Sequence, residues 1–244
     1  MQVEEPAPVS PAKETPEPPV ERKPDVEKEW VHWSTPSRRL QKITRFLLRC
    51  LTRMDIQGVE NFPAEGAVLM AVNHIFMLDV PLYFAVVPRR PVVFIGHNWE
   101  RIPILNRYLE RALTAIFVNR EIADRQALRK ATKALKVGCL FCMAPEGTIS
   151  QTGGLIEGKS GAAYLATRTN ATIVPLVAYG QEKAFYYWKR LRRVPVTVRV
   201  GPAYRFPSGK ADAAALDQHT ETIMVSLAKL LPPEYRGVYA DRIE

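Results

Sequence analysis

The chain has 244 residues, which is enough for one large domain or for one domain with a tail. Three cysteines are too few for a disulfide framework, so we expect a reducing, cytoplasmic setting. No apolar run is long enough to span a bilayer. The polar N-terminus lacks the apolar stretch of a secretory signal, so we do not expect one there. The net charge of +9 suits an anionic partner, namely a phospholipid surface, a phosphorylated substrate, an acidic carrier protein or a nucleic acid. A basic surface that only keeps the protein in solution explains the charge equally well.

Residues 1–28 differ in composition from the rest of the chain. They contain seven of the twenty prolines and almost no large apolar side chain. Such a segment cannot bury enough surface to offset the entropy lost on ordering, so we predict a disordered tail rich in proline and glutamate. Its net charge is −3, which leaves +12 on residues 29–244.

A basic amphipathic helix is predicted over residues 36–54. At helical spacing, one face carries Arg38, Lys42, Arg45, Arg49 and Arg53, and the opposite face carries Leu40, Ile43, Leu47, Leu51 and Met54. Trp30 and Trp33 lie just upstream. A helix of this kind can lie in a membrane interface. The alternative is a surface helix that packs its apolar stripe on the core.

Beyond residue 58, short apolar runs alternate with helical stretches. The predicted strands are 67–72, 92–95, 115–118, 139–144, 172–178 and 196–200, and the predicted helices are 79–87, 98–111, 121–137, 159–169 and 212–231. This alternation predicts a single α/β domain with a mostly parallel or mixed sheet flanked by helices. Ligands of open sheets of this class bind beyond the carboxyl ends of the strands, so the residues that follow each strand are the candidates for a site.

The first of these strands is followed by Asn73, His74 and, five residues later, Asp79. Residues five apart share neither a helix face nor a strand face, so these two side chains meet only if the chain turns between them. Because Val80-Pro81 follows, we predict that Asp79 is the N-cap of the next helix. A carboxylate that accepts the ring N–H of His74 would leave the other ring nitrogen as a general base. A strand-end histidine followed by an ordinary cap is the alternative.

Later strands end in further polar residues. Arg120 follows the third strand, where it suits an anionic group, although an exposed arginine near a helix start is the alternative. Residues 145–148, Pro-Glu-Gly-Thr, follow the fourth strand and combine a carboxylate with a glycine, or form a plain turn. Gly153–Ser160 satisfies the phosphate-loop pattern, but no strand runs directly into it, which disfavours nucleotide hydrolysis. Cys139 and Cys142 form a C-x-x-C inside an apolar run and are predicted core residues.

Taken together, these blocks resemble the glycerolipid acyltransferase family, whose best-known members acylate 1-acylglycerol-3-phosphate. Asn73, His74 and Asp79 match its N-H-x-x-x-x-D block, and the run ending at Arg120 matches its second block. Residues 144–150, "APEGTIS", and the short strand around Pro175 match the third and fourth blocks. The resemblance covers roughly residues 55–205.

The resemblance implies an O-acyl transfer in phospholipid biosynthesis. His74 would deprotonate the hydroxyl of a lyso-glycerolipid, Asp79 would hold it, and the oxygen would attack an acyl thioester without an acyl-enzyme. The matched positions Asn73, Arg120, Glu146, Gly147, Thr148 and Lys159 would bind substrate, with Arg120 at the acceptor phosphate and Glu146 and Gly147 at the glycerol portion.

The donor would be acyl-CoA or an acyl-carrier-protein thioester, and we expect no cofactor, no metal and no nucleic-acid partner. Residues 58–244 would form the acyltransferase domain, and residues 29–57 a helical segment at an anionic membrane surface. We therefore expect a peripheral protein on the inner face of the membrane. A non-catalytic lipid-binding or nucleotide-binding protein is the alternative.

Two departures from the family pattern concern the acceptor. Ile149 stands where the third block usually has arginine, and Gly96 aligns where many relatives carry lysine. Both cations belong to the neighbourhood of the acceptor phosphate in the family. Each charge-assisted contact is worth about 1.5–3 kcal/mol, so another lyso-lipid or a glycolipid is an alternative acceptor.

Overall fold

The computed structural model describes residues 31–96, 114–118, 124–207, 209 and 211–243. The helices are α1 (Thr35–Leu51), α2 (Asp79–Val86), α3 (Arg125–Lys136), α4 (Gly161–Thr169), α5 (Ala184–Trp188) and α6 (Ala213–Leu230). The strands are β1 (Thr52–Gln57), β2 (Val68–Val72), β3 (Pro91–Gly96), β4 (Thr114–Val118), β5 (Leu140–Met143), β6 (Thr172–Tyr179) and β7 (Val194–Val200). Short 3₁₀ helices occupy Val59–Asn61, Gln181–Lys183, Pro233–Tyr235 and Gly237–Arg242. The predicted tail, the predicted helix 98–111, Arg120 and residues 121–123 lie outside the described residues.

The described strands form one seven-stranded sheet in the order β1-β7-β6-β2-β5-β3-β4. Strands β2 to β6 run parallel to one another, β7 pairs antiparallel with β6, and β1 pairs parallel with β7. The predicted α/β class with a mixed sheet flanked by helices is therefore confirmed. All six predicted strands are present, with ends displaced by no more than about two residues, as expected for strand boundaries.

Alternating side chains of β2 divide the core between the two faces of the sheet. Val68, Met70 and Val72 pack with α2 and the buried side of α1, whereas Leu69 and Ala71 pack with α3 and α4. Because both faces are covered, the central strands are apolar throughout, and β2 is buried at every position. The Cys139 and Cys142 side chains are buried, as predicted, and burial raises the pKa of the Cys142 thiol to about 12.

Helix α1 ends earlier than the sequence pattern suggests. The prediction of a helix through residue 54 is wrong at its last three positions, because Thr52 opens β1 and pairs with Val194 of β7. The Thr52 hydroxyl donates to the Leu48 carbonyl and closes the last turn. Residues 52–57, predicted to belong to the helical interface segment, therefore form an edge strand of the sheet.

The face that α1 presents to the domain is largely polar. Its buried residues are Ser37, Gln41, Thr44 and Leu48. The Gln41 side-chain amide donates to the carbonyls of Phe84 and Val87, at 2.9 Å each, where α2 ends and its carbonyls lack helical partners. The apolar residues Ile43, Phe46, Leu47 and Leu51 are instead 43% to 66% exposed. Core packing of the apolar stripe, the alternative considered above, is therefore wrong for Ile43, Leu47 and Leu51.

None of the helices within the described ranges combines the length and the apolar character that crossing a bilayer requires.

Candidate active site

Three neighbouring strands deliver the candidate site to one edge of the sheet. Strands β6, β2 and β5 are adjacent and parallel, so their carboxyl ends meet there. Asn73 and His74 follow β2, the Pro-Glu-Gly-Thr turn follows β5, and Gln181 follows β6. The sheet thus brings together residues that lie more than 100 positions apart in the chain.

His74 and Asp79 meet at the start of α2, as the proposed pairing requires. His74 Nδ1 lies 2.8 Å from Asp79 Oδ2, and the same oxygen accepts the backbone N–H groups of Ile75 and Phe76. Asp79 Oδ1 accepts a hydrogen bond from Gln181 Nε2 at 2.7 Å. The carboxylate is completely buried, and these four donors compensate its desolvation.

The prediction that Asp79 caps α2 is wrong. Helix α2 begins at Asp79 itself, its N-cap is Leu78, and no side chain caps it. The carboxylate turns back toward the preceding loop instead, because that loop offers two backbone N–H groups together with the imidazole. The loop between His74 and Asp79 is therefore folded around the carboxylate, and this orients the His74 ring.

The backbone of His74 is held on both sides by the loop that follows β5. The His74 N–H donates to Glu146 Oε1 at 3.0 Å, and the His74 carbonyl accepts the Ser150 N–H at 2.7 Å. Glu146 Oε2 accepts the Ile156 N–H at 3.0 Å. Glu146 is 1% exposed, and burial raises the pKa of its carboxyl to about 7 against the opposing effect of the two backbone hydrogen bonds.

Each oxygen of Glu146 thus has a backbone donor from the protein itself. The contact with the acceptor glycerol implied by the resemblance stays a prediction. In this arrangement the Glu146 carboxylate joins the loop that contains His74 to the loop that contains Ile156.

Asn73 is buried and takes part in the sheet. Its side chain pairs with Ala178 of β6 in both directions, donating to the carbonyl and accepting the N–H at 2.9 Å each. The hydroxyl of Tyr83 lies 2.8 Å from both the side-chain oxygen and the carbonyl oxygen of Asn73. Asn73 therefore extends the pairing of β2 with β6 by one residue and fixes the direction in which the chain leaves β2.

Two residues of this network were missed in the sequence, namely Tyr83 and Gln181. Gln181 lies 102 residues from Asp79, follows Gly180 at the end of β6, and is fully buried. Inspection of the positions after each strand would have included it, whereas Tyr83 lies inside an apolar helix and carries no such signal.

The glycine of the Pro-Glu-Gly-Thr turn has a positive φ of 73°, a conformation that favours glycine. A Cβ at Gly147 would lie 3.3 Å from Lys159 Nζ, so the ammonium group lies over the backbone of this turn. The Lys159 N–H donates to the Pro145 carbonyl at 2.9 Å, which anchors its backbone there. Thr148 is exposed on the same turn.

A cavity of about 630 Å³ opens beside this cluster. One end is lined by His74, Asp79, Gly147 and Lys159, and Ile149 also lines it. The remaining walls are mostly apolar and include Met70, Val72, Leu78, Phe84, Val93, Ile95, Val118, Leu128, Cys142 and Met143, together with the polar residues Tyr83 and Asp124. A volume of this size with a few polar groups at one end is typical of a small-molecule site.

The arrangement suits general base chemistry. Because Nδ1 of His74 faces a buried carboxylate, the other ring nitrogen, Nε2, is the one able to take up a proton. In the described part of the chain, no group of three His, Cys, Asp or Glu side chains is placed to bind a metal ion. Arg120 lies outside the described residues, so its predicted role stays a prediction.

Comparison with known proteins places these features in context. Residues 53–179, about half of the chain, match the family model described as Acyltransferase. The 1-acyl-sn-glycerol-3-phosphate acyltransferase of Borreliella burgdorferi is 34% identical over 137 residues, covering 54% of each chain. The alpha form from Ovis aries is 26% identical over 205 residues, which cover 76% of this chain and 66% of the relative. The chain spans about half the length of the first curated relatives it matches.

The fold comparison agrees with the sequence comparison. The crystal structure of the 1-acyl-sn-glycerophosphate (LPA) acyltransferase PlsC from Thermotoga maritima superposes with a TM-score of 0.62 and 23% identity. The match covers 79% of this chain and 77% of that one. Because the family model matches residues 53–179, the chain belongs to the acyltransferase family.

Proposed function

We propose that the protein transfers a fatty acyl group from a thioester to the hydroxyl of a lyso-glycerolipid, an acceptor like 1-acyl-sn-glycerol 3-phosphate. The observation that carries the proposal is the 2.8 Å contact between His74 Nδ1 and the buried Asp79 carboxylate at the polar end of an apolar cavity. The names of the relatives from Borreliella burgdorferi and Ovis aries support this reaction class.

The proton transfers follow from the orientation of the imidazole. His74 Nε2 takes the proton of the acceptor hydroxyl as the oxygen attacks the thioester carbonyl, and the imidazolium then faces Asp79. Collapse of the tetrahedral intermediate breaks the C–S bond, and the imidazolium returns its proton to the departing thiolate. The base is regenerated in one turnover, and no acyl-enzyme forms.

Two further groups support the reaction in this proposal. The Lys159 ammonium, over Gly147, stabilises negative charge at the polar end of the cavity, either on the oxyanion or on the acceptor. Glu146 holds the backbone of His74 in place. The apolar walls receive the acyl chain, because removing its methylenes from water contributes about 0.8 kcal/mol each.

The acceptor head group is the part of the proposal that these contacts constrain least. Ile149, which replaces the usual arginine, lines the same cavity as Lys159, and Gly96 ends β3 without a side chain. Of the residues described at this end, Lys159 provides the cation. An acceptor with a single negative charge, such as a phosphodiester, needs fewer cations than a phosphomonoester.

We also propose that α1 binds the membrane surface, so that the protein is peripheral on the inner face. Polar side chains hold α1 on the domain, with the Arg45 side chain donating to the Ala85 carbonyl at 2.6 Å. The apolar side chains of Ile43, Phe46, Leu47 and Leu51 are left facing outward. Insertion of such a face between lipid headgroups, aided by neighbouring basic residues, supplies the affinity.

The proposed reaction is tested by measuring thiol release and lipid product together. The purified protein receives acyl-CoA or acyl-acyl carrier protein, with a panel of lyso-lipids differing in head group. Thiol release that requires an acceptor and matches the acylated product in amount supports the proposal and identifies donor and acceptor. Vesicle binding without product for any pair would instead favour a non-catalytic lipid-binding protein.

A further inference from the structure

Helix α5 and the turn that leads from it to β7 expose a cluster of apolar side chains. Phe185 and Tyr186 are more than half exposed, and Leu191 is 98% exposed. Leu191 also has a positive φ of 52°, a conformation that leucine rarely adopts. Because the Leu191 side chain is unburied at the tip of a turn and its backbone conformation is unfavourable for leucine, packing within the fold does not account for this residue.

Basic residues are concentrated in the segment that carries this cluster, and Glu182 at its edge lies 3.9 Å from Lys183 Nζ. Residues 183–193 contain five lysines and arginines and no acidic residue, and Lys189, Arg190 and Arg192 are exposed. The Arg190 guanidinium lies 3.8 Å from the centroid of the Tyr186 ring. Aromatic rings with basic side chains beside them are typical of the headgroup level of a membrane, where anionic lipids attract the cations.

The cluster connects α1 to the catalytic loop. The Phe185 ring packs edge-on against Phe76, which lies between His74 and Asp79, with 5.8 Å between ring centroids. It also packs against Trp188, whose indole N–H donates to the Leu51 carbonyl at the end of α1. A partly exposed apolar path thus runs from the end of α1 to the edge of the His74 loop.

We infer that Phe185, Tyr186 and Leu191, here called the tip surface, insert into an anionic phospholipid surface as a second membrane contact beside α1. The inference deepens the proposed membrane association, on which it rests, by naming where the bilayer meets the domain. An acidic carrier protein fits the basic residues beside the tip surface but leaves Leu191 unexplained. Because the tip surface lies between the end of α1 and the His74 loop, insertion at both contacts brings that loop to the lipid surface.

The first test compares binding of the full-length protein to vesicles of phosphatidylcholine and phosphatidylglycerol. Leu191→Gly removes the tip side chain and suits the positive φ, so the fold is preserved. Loss of one inserted leucine lowers the partition coefficient by about tenfold or more. The matched control is Tyr164→Ala, an exposed aromatic on α4, which packs on the other face of the sheet. It leaves partitioning unchanged.

The second test measures directly whether residue 191 enters the bilayer. Leu191→Cys in a Cys50→Ser background carries an environment-sensitive fluorophore, and the two buried cysteines do not compete for the label. On the same vesicles, the emission of this label shifts to the blue, whereas a label at Tyr164→Cys does not. A label at position 191 that stays in water while the protein sediments with vesicles overturns the inference.

The remaining outcomes separate this inference from the proposed reaction. The His74→Ala protein, carrying the label at position 191, shows the same blue shift, because insertion does not depend on catalysis. A shift without acyl transfer by the otherwise unmodified protein defeats the reaction and leaves the insertion standing. If Leu191→Gly weakens binding to acyl carrier protein but not to vesicles, the tip surface docks a protein and the inference is wrong.

Discussion

The substitution Asp79→Asn separates the electrostatic role of this carboxylate from its structural role. An asparagine can place its oxygen where Oδ2 accepts three hydrogen bonds, from His74, Ile75 and Phe76. Its amide then faces the amide of Gln181, whose own oxygen has no hydrogen-bond partner within the described residues. Rotation of the Gln181 amide brings that oxygen to the new donor and loses the 3.1 Å bond to Ala178. We therefore expect the free energy of unfolding to fall by only about 1 kcal/mol.

The effect on turnover is expected to be far larger. In the transition state the imidazolium faces a neutral amide instead of a carboxylate. Two unit charges about 4 Å apart interact by about 4 kcal/mol at an effective dielectric constant of about 20. Loss of that interaction lowers kcat by roughly 10³-fold.

Thiol release gives the change in kcat, and urea unfolding gives the change in stability. The matched control is Asp212→Asn, at the N-cap of α6, where Asp212 accepts the Ala215 N–H at 2.8 Å. Asparagine caps a helix as well as aspartate does, so neither quantity changes. If Asp79→Asn is folded and retains a kcat within about tenfold of the wild type, Asp79 does not stabilise an imidazolium and the reasoning is refuted.

Substitutions at three further positions probe the surrounding groups. Because folding raises the pKa of Glu146 from 4.5 to about 7, the folded state binds a proton between these values, and the free energy of unfolding decreases as pH rises through this window. The free energy of unfolding changes by about 3 kcal/mol between about pH 4 and about pH 8. Glu146→Gln, assayed by urea unfolding at both pH values, lacks this contribution. An equal dependence of the free energy of unfolding on pH in the variant and the wild type would contradict the prediction. Gln181→Leu removes the donor to Asp79 Oδ1 and lowers kcat about tenfold with KM unchanged. A change in KM alone would argue against a role of Gln181 in positioning Asp79. Lys159→Ala raises KM for an anionic acceptor about tenfold or more in steady-state assays, and Lys159→Arg returns KM most of the way to the wild-type value. An equal rise in KM for a neutral acceptor would exclude a contact between Lys159 and the acceptor charge.

The sheet and its ligand-binding edge were predictable from the sequence because strands and helices alternate with clear periodicity. The spacing left the pairing of His74 with Asp79 open, since the two side chains meet only if the chain turns between them, and the resemblance to the acyltransferase family favoured it. Periodicity does not reveal which groups compete for a side chain. Asp79 therefore looked like a helix cap, although the loop before it offers more donors than the helix does.

The packing of α1 shows a second limit of sequence patterns. An apolar stripe ordinarily identifies the buried face of a helix, yet α1 buries Gln41 and exposes Phe46 and Leu47. The reason is tertiary, because Gln41 satisfies the terminal carbonyls of α2, more than 40 residues away. The contact of Gln181 was also missed because it is tertiary: Gln181 follows β6, whereas its partner Asp79 lies 102 residues away in the segment that follows β2.

The structural role of Glu146 is a third feature that the sequence did not reveal, and its predicted contact with the acceptor stays a prediction. Its carboxylate binds the backbone N–H groups of His74 and Ile156, which belong to the loops it joins. Burial at this position was not visible in the Pro-Glu-Gly-Thr turn, whose composition alone is that of an exposed loop.

The central claim is that His74 is the base of an acyl transfer to a lyso-lipid hydroxyl. The most direct test measures diacyl product formed in a single turnover by the wild type and by His74→Ala, with equal amounts of protein bound to vesicles. The account predicts that the variant binds the vesicles normally and forms product about 10²–10⁴ times more slowly. Product formation by His74→Ala at a rate close to that of the wild type would contradict it.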